Sequence, residues 1–538
     1  MHPSLLSRYT TLGLCILVFL VSLVLMPDRS WLQPVVVVAL LLVLLGFYDL
    51  VQPHHAVRRN YPVIGNIRYL IEMIRPEIRQ YLLESEDDQT PFSRSQRSLV
   101  YARAKLQGGD QPFGTLIDVY KPGFEFMSHS ARPVPHTDPK EFRIPIGGKD
   151  CTKPYSASVF NVSAMSFGAL SGNAIRALNK GAKLGNFAHD TGEGSISPYH
   201  RENGGDLIWE LGSGYFGCRT RDGHFDAGRF TEQAQTDQVK MIEIKMSQGA
   251  KPGHGGILPA EKVTPEIAAT RGVGLGEDCI SPARHSAFST PIEMMQFLAK
   301  LRELSGGKPT GFKLCVGHPW EFMGIVKAMR ETGILPDFIV VDGAEGGTGA
   351  APVEFVDHLG VPMREGLLFV HNTLTAANLR GQIKLGASGK ITSAFDIASV
   401  MAIGANWANS ARGFMFALGC IQSRSCHTNR CPTGVATQDP LRQRALVVED
   451  KGDRVYNFHR NTLKALSEML AAAGLSHPSE MGPHHMMRRV TPTEIRLLSQ
   501  LHTFLEEGEL VNGGAIRSEF YKHNWRLARA DSFDPLKS

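Results

Sequence analysis

The chain has 538 residues, 43% hydrophobic and 20% charged, with a formal net charge of +5. That length exceeds one small domain and leaves room for a large barrel with additions. The small net charge, with no basic arm and no aromatic–basic stripe, excludes a nucleic-acid binder. Five cysteines, Cys15, Cys151, Cys218, Cys279 and Cys315, stand apart, which suits a reducing compartment better than a disulfide framework.

Two uncharged apolar runs come first, "TTLGLCILVFLVSLVLM" at 10–26 and "WLQPVVVVALLLVLLGFY" at 31–48. A helix crossing the bilayer core needs about 17–25 apolar residues, so both predict transmembrane helices within residues 1–52. The competing reading, a signal peptide followed by a buried helix, lacks a small-residue cleavage site between the runs. Arg8 precedes the first run; Arg58, Arg59, Arg68, Arg75 and Arg79 follow the second; Arg29 alone lies between. The positive-inside rule then predicts a multi-pass protein of the inner (cell) membrane, with everything after residue 49 cytoplasmic. Trp31 and Tyr48 bracket the second run as interfacial aromatics do.

Residues 53–149, with "IRYLIEMIRPEIRQYLLES", read as a charged, helical linker region. From 150 to 445, short apolar runs end in glycine-rich or polar loops and alternate with amphipathic segments. This predicts an α/β fold, a (β/α)8 TIM barrel, which typically takes ~250 residues. The competing doubly wound sheet calls for an early G-x-G-x-x-G with an acid about 20 residues later, a combination this chain lacks. Residues 446–538 read as a mostly helical extension.

Two late glycine regions could hold a phosphate: "DGAEGGTGA" at 342–350, and a unit made of "GASGKI" at 386–391 and "AIGANWA" at 402–408. Either could be a plain turn, but barrels often bind phosphate through the loops after strands seven and eight. Lys313, in the strand-like "GFKLCV", is unusual unless paired. It either stabilises negative charge on a reduced flavin ring or caps a strand end. Finally, "CIQSRSCHTNRCPTGV" at 420–435 holds three cysteines as C-x5-C-x4-C. Three thiolates suit three irons of an iron–sulfur cluster. The competitor is a Cys3His zinc site using His427, for which a five-residue spacer is long.

From about Phe160 to Gln438 the sequence closely resembles the synthase (FMN-binding) domain of glutamate synthases. The ordered motifs "SAMSFGALS", "TGEG", "QGAKPG", "GGTGA" and "CHTNRCPTGVATQDP" carry the likeness. The resemblance implies an FMN-linked barrel with a 3Fe–4S cluster on Cys420, Cys426 and Cys431. It implies an oxidoreductase acting on CH–NH2 donors, one that reduces 2-iminoglutarate, made from 2-oxoglutarate and ammonia, to L-glutamate. In that family reduced FMN delivers hydride and the cluster feeds it electrons. By motif, Ser163, Ala164, Met165 and Ser166 pass along the flavin. Glu193 lines the site, and Lys251 and Arg271 hold the carboxylates of the oxoacid, as cations can. Lys313 contacts the flavin. Gly343, Gly346, Gly347, Gly389, Lys390, Gly404 and Ala405 hold its phosphate. His285 is a candidate proton donor or a satisfied structural histidine.

The chain departs from the family at "GHGGILPA", where "GEGGQLPG" is usual. His254 replaces an acid and Ile257 a glutamine that helps bind the oxoacid, a change able to alter selectivity. The alternatives are therefore an FMN-dependent, membrane-tethered oxidoreductase acting on another amino or oxo acid, or a non-catalytic electron-transfer subunit. The second has no need of Lys251, Arg271 and Glu193. Met1 leads into an apolar run, so neither the family's N-terminal cysteine nucleophile nor its C-terminal β-helix is expected. Nor is a pyridine-nucleotide site. The expected partners are a small-molecule oxo or amino acid substrate, a separate electron donor (ferredoxin-like or a membrane redox partner) and a source of ammonia, free or supplied by a partner protein.

Overall fold

The computed structural model describes residues 3–85, 91–247, 249 and 251–537, in two compact units that divide after residue 88. In the first unit, α1 (Pro3–Leu25) and α2 (Gln33–Val51) pack on each other. Both extend past the apolar runs that predict them. Their apolar stretches, Arg8–Asp28 and Ser30–Val51, are 21 and 22 residues long, enough to cross a membrane by length and composition. Leu17, Val24, Val38, Leu41 and Leu44 turn their side chains outward. The helices approach closely at Gly46, where a Cβ would strike the Leu12 side chain and come within 2.9 Å of Val63. A short helix, Ala56–Asn60, and then α3 (Gly65–Ile78) complete this unit.

The second unit is built on a closed barrel of eight parallel strands: β1 (Phe160–Val162), β2 (His189–Asp190), β3 (Leu207–Leu211), β4 (Val239–Lys245), β5 (Thr310–Cys315), β6 (Phe338–Asp342), β7 (Lys384–Ser388) and β8 (Trp407–Ser410). Each strand pairs with the next in sequence, and β8 closes on β1 through Ala408 opposite Phe160 and Ser410 opposite Val162. The strands are buried along almost their whole length, as expected where both faces are covered. Outside β1 and β8, Phe160, Phe187, Phe414 and Phe458 form a fully buried aromatic cluster with ring centroids 5.1–5.8 Å apart. Each such ring contributes roughly 1.5–3 kcal/mol by leaving water.

Before the barrel, α4 (Arg94–Ala104) starts with a reciprocal capping box between Ser93 and Gln96. After β1, α5 (Gly172–Gly185) is capped by Ser171 and ends on left-handed Asn186. α6 (Ala394–Ile403) joins β7 to β8. The segment 446–538 opens with α7 (Val448–Ala472), which packs along α5 so closely that a Cβ on Gly181 would lie 2.6 Å from Val455. The same segment also holds a hairpin, Met486–Thr491 with Glu494–Leu497, to which Glu125–Met127 adds a third strand. Local periodicity does not reveal the third strand, because its pairing joins segments 363 residues apart. Glu125 secures it by accepting from Arg364 and Arg488 at 2.5 and 2.8 Å.

Candidate functional site

The C-terminal ends of the barrel strands carry a cleft with about 560 Å³ of empty space, part of it open to solvent. Its floor is Ser163, Ala164 and Lys313. One wall is Ser388, Gly389 and Lys390 after β7; another is Ser410 to Gly413 after β8; Gly346 and Gly347 come from the β6 loop. Ser163 Oγ lies 3.0 Å from Ser388 Oγ, tying β1 to β7. Arg412 Nη2 donates to the Glu345 carbonyl at 2.8 Å. Backbone approaches closely where these loops converge: a Cβ on Gly389 would lie 2.9 Å from the Met363 Cβ, and one on Gly347 would displace the Arg412 guanidinium. Burial lowers the Lys390 ammonium and the Arg412 guanidinium from their usual values, and Arg412 lowers Lys390 further. Two half-buried cations, one lowering the other, mark a place for an anion.

Gly346, Gly347, Gly389 and Lys390, the residues singled out for a phosphate, all line the cleft. Gly343 stands at the foot of the same loop, its N–H donating to Asp342 at 2.9 Å. Gly404 and Ala405 do not line the cleft. They close α6, with the Ala405 N–H bonded to Val400 O at 3.0 Å and Gly404 at φ +131. The physical reason is direction: 402–408 leads into β8, whereas the mouth is built by the loops that leave the strands. Arg412, three residues beyond Asn409 of β8, is the cation that sequence reasoning misses.

Lys313 is 3% exposed and forms ion pairs with Glu210 and, at 3.4 Å, with Glu243. Asp190, Glu210 and Glu243 bring one oxygen each within 4.8 Å of one another. Burial and neighbouring carboxylates push the Glu243 carboxyl well up, and burial lifts Asp190 to about 7. Lys313 is therefore a barrel-core cation beneath the cleft, balanced by acids that no local motif announces.

On the same side, the loops after β2 and β4 bring a second group together. Lys245 Nζ donates to Glu193 Oε2 at 2.5 Å, and Ser281 Oγ to the same oxygen at 3.3 Å. Burial pushes the Glu193 carboxyl up, but Lys245, then Arg271 and Lys251, pull it down to about 2. Lys251 and Arg271 are 6% and 4% exposed. Arg271 donates to Phe167 O at 2.9 Å and Ser166 Oγ at 3.4 Å, and its guanidinium lies 5.3 Å from the Phe216 ring. Met165 and Ser166 thus sit between this cationic group and the cleft floor at Ala164. Gln248 and Ala250 of "QGAKPG" lie outside the described residues. His285 has both nitrogens engaged, Nδ1 3.0 Å from Tyr215 Oη and Nε2 2.9 Å from Lys245 O. Burial drives it down to about 4, so it is neutral at pH 7 and its Nε2–H donates to the carbonyl. Sequence reasoning also misses Lys245 and Ser281; a charge ending an apolar strand is the signal that points to Lys245.

The Glu193 ion pair predicts a pH effect. A carboxyl held below its unfolded value adds stability that is complete above about pH 5 and lost as pH falls toward 2. Glu193→Gln is expected to lower the denaturant midpoint at pH 7, and the gap from wild type should shrink as both are titrated below pH 4. A constant gap would contradict the assignment.

The cysteine loop joins this mouth at its edge. Tyr101 of α4 donates to Cys420 O at 2.6 Å, and Gln422 holds the Phe92 backbone by two bonds of 3.1 and 3.2 Å. Cys426 and Cys431 act electrostatically on Cys420, and Cys431 on Cys426. Burial raises Cys420 to about 12 and also raises Cys426. Burial acts on Cys431 too, but N–H groups of Ala436, Thr433 and Val435 and the Thr433 hydroxyl bring it below the usual thiol value. Lys262, 3% exposed, donates to Ala169 O at 3.1 Å and Cys426 O at 3.4 Å. Among the described residues it has no carboxylate partner; burial lowers it to about 8 while Cys426 and Cys431 hold it up. A buried ammonium between a cysteine loop and the floor loop fits an anionic group on these sulfurs.

Residues 134–476 match the family described as a conserved region in glutamate synthase. A glutamate synthase large subunit-like protein, YerD of Bacillus subtilis (strain 168), is 38% identical over 495 residues, covering 84% of this chain and 94% of its own length. An archaeal glutamate synthase [NADPH] of Methanocaldococcus jannaschii is 34% identical over 316 residues, 59% of this chain and 59% of that protein. Among solved structures, a mutant flavocytochrome b2 with pyruvate bound is similar over 85% of this chain and 92% of its own, at a TM-score of 0.41 and 13% identity.

Proposed function

The chain belongs to the glutamate synthase family, and from that premise we propose that it is an FMN- and iron–sulfur-dependent oxidoreductase forming L-glutamate from 2-oxoglutarate and ammonia. The observation that carries the reading is the buried pair Lys251 and Arg271, both acting on Glu193, at the same barrel mouth as a cleft with two anion-seeking cations. The cations are suited to the carboxylates of a dicarboxylic oxoacid, and Glu193 with Lys245 to the carbon that bears oxygen or nitrogen. The cleft fits FMN: Lys390, Arg412 and the tight glycine backbone at 347 and 389 would hold the phosphate, with Ser163 to Ser166 along the ring and Lys313 beneath it. Bound there, FMN supplies hydride for reduction of a C=N bond. Cys420, Cys426 and Cys431, one thiolate per iron, would hold a 3Fe–4S cluster, which would supply electrons one at a time. The doubly bonded, neutral His285 serves to position Lys245.

Electrons are proposed to come from a ferredoxin-like or membrane redox partner, and ammonia from solution or a partner protein. The two apolar helices and the arginines after them support attachment to the cell membrane with the barrel cytoplasmic. A second reading keeps the chemistry and changes the acid. Ile257 is an apolar side chain, 41% exposed, where the family has a glutamine, which favours a less polar 2-oxo acid.

Lys251→Met separates an enzyme from a relay. Losing one charge-assisted bond of ~1.5–3 kcal/mol predicts a fall of roughly 10- to 150-fold in kcat/KM with flavin content unchanged. Unchanged turnover would contradict the substrate role.

A further inference from the structure

The geometry points to a third membrane contact: α3 lies in the membrane–water interface, its apolar flank at the acyl-chain boundary and its arginines against anionic lipid phosphates. This rests on reading α1 and α2 as a membrane-spanning hairpin. α3 is strongly two-sided. Ile64, Ile67, Leu70, Ile71 and Ile74 recur at helical spacing, and the last four are 52%, 53%, 51% and 40% exposed. Arg68 and Arg75, with Arg79 just beyond the end of α3, follow one step round the helix on the flank beside that stripe, where Arg75 also pairs with Glu72 at 3.5 Å. A short helix with a bare apolar face bordered by arginines is built to lie flat on an anionic membrane.

Its position comes from a built elbow at the end of α2. Asp49 is fully buried, and its Oδ2 accepts from Val63 N at 2.9 Å and Asn66 Nδ2 at 2.5 Å. Gln52 Nε2 donates to Asp49 O at 3.1 Å and His55 O at 2.9 Å, and Gln52 Oε1 accepts from His55 N at 2.7 Å. Val63 is held at φ +68, a conformation a β-branched residue keeps only when its surroundings impose it. On the side of α3 away from the stripe, Tyr69 carries the Arg58 guanidinium at 4.3 Å and the His55 ring at 4.9 Å. The start of α3 is thereby fixed to the last turn of α2, directly beyond a 22-residue apolar stretch that is itself a membrane thickness. That level is the headgroup layer. There the exposed stripe meets the acyl-chain boundary, and the arginines supply the complement to the phosphates.

The full chain is reconstituted in vesicles of phosphatidylcholine and phosphatidylglycerol with a photoreactive benzoylphenylalanine in place of Leu44 of α2, Leu70, Ile74 or Tyr69. Lipid adducts are expected at Leu44, Leu70 and Ile74, and at Tyr69 at no more than a tenth of that yield. Asp49→Ala should lower the Leu70 yield at least threefold and leave Leu44 unchanged. Lipid adducts at Leu44 with only protein adducts at Leu70 and Ile74 would overturn the proposal and leave the hairpin standing. No lipid adduct at Leu44 would overturn the hairpin reading, and the proposal with it. In phosphatidylcholine alone the Leu70 yield should fall at least threefold; an unchanged yield overturns the role given to the arginines.

Discussion

Cys431→Ser is expected to abolish iron binding while leaving flavin bound. Three sulfurs suffice for three irons only if each supplies one ligand. Cys431 is the sulfur best prepared to be a thiolate, pulled down by three backbone N–H groups and the Thr433 hydroxyl. A serine oxygen is a harder, poorer ligand for such a site. Its loss also leaves Lys262 buried with two carbonyls and a weaker anion. The cleft at Arg412 and Lys390 shares no side chain with the triad, so flavin should remain. The expected results are iron reduced to background, loss of the cluster's electron-spin signal, and turnover surviving only with a donor that reduces the flavin directly. His427→Ala is the companion variant and should keep its iron. Zinc in the purified protein, lost in His427→Ala, would replace the cluster with a Cys3His site.

The second large effect belongs to Lys313→Met. Methionine fills similar space, so packing alone predicts little. The charge does not: Glu210, Glu243, Asp190 and Asp342 all act on this one buried ammonium. Removing one partner of a buried ion pair costs ~3–5 kcal/mol, because the acids stay behind unpaired. The variant should therefore lose stability by that amount or fail to accumulate, and any folded fraction should bind flavin weakly. Lys313→Met combined with Glu210→Gln removes one acid along with the cation and should recover a substantial part of the loss. If the single variant is as stable as wild type, the barrel core is not held by this network. If the double variant regains stability but not flavin, Lys313 acts on the flavin itself.

The parts legible in the sequence are those encoded locally. C-x5-C-x4-C places three sulfurs in one loop whatever the rest of the chain does. The glycines at 346–347 and 389 come after strands, and loops after strands build the mouth of a parallel barrel. The fold itself is visible as apolar runs ending in glycine. The loop at 402–408 looks the same in composition but precedes β8, and strand boundaries are the least certain part of a sequence reading. That one-loop ambiguity exchanges Gly404 and Ala405 for Arg412. The acids around Lys313 come from β2, β3, β4 and β6, so their meeting depends on barrel closure and on no motif. Lys262 is the same case: a lysine in "AEKV" becomes informative only when Ala169 and Cys426 are seen beside it.

Reduction, at this barrel mouth, of an imino acid derived from 2-oxoglutarate is tested most directly without oxygen. The full chain is purified anaerobically with membrane lipid, its flavin is reduced, and it is mixed rapidly with 2-oxoglutarate and ammonium while the flavin absorption is followed. Reoxidation is expected to require both reagents, with L-glutamate formed in proportion to flavin. A purified chain without flavin, or reduced flavin that 2-oxoglutarate and ammonium leave unchanged, would contradict that reaction.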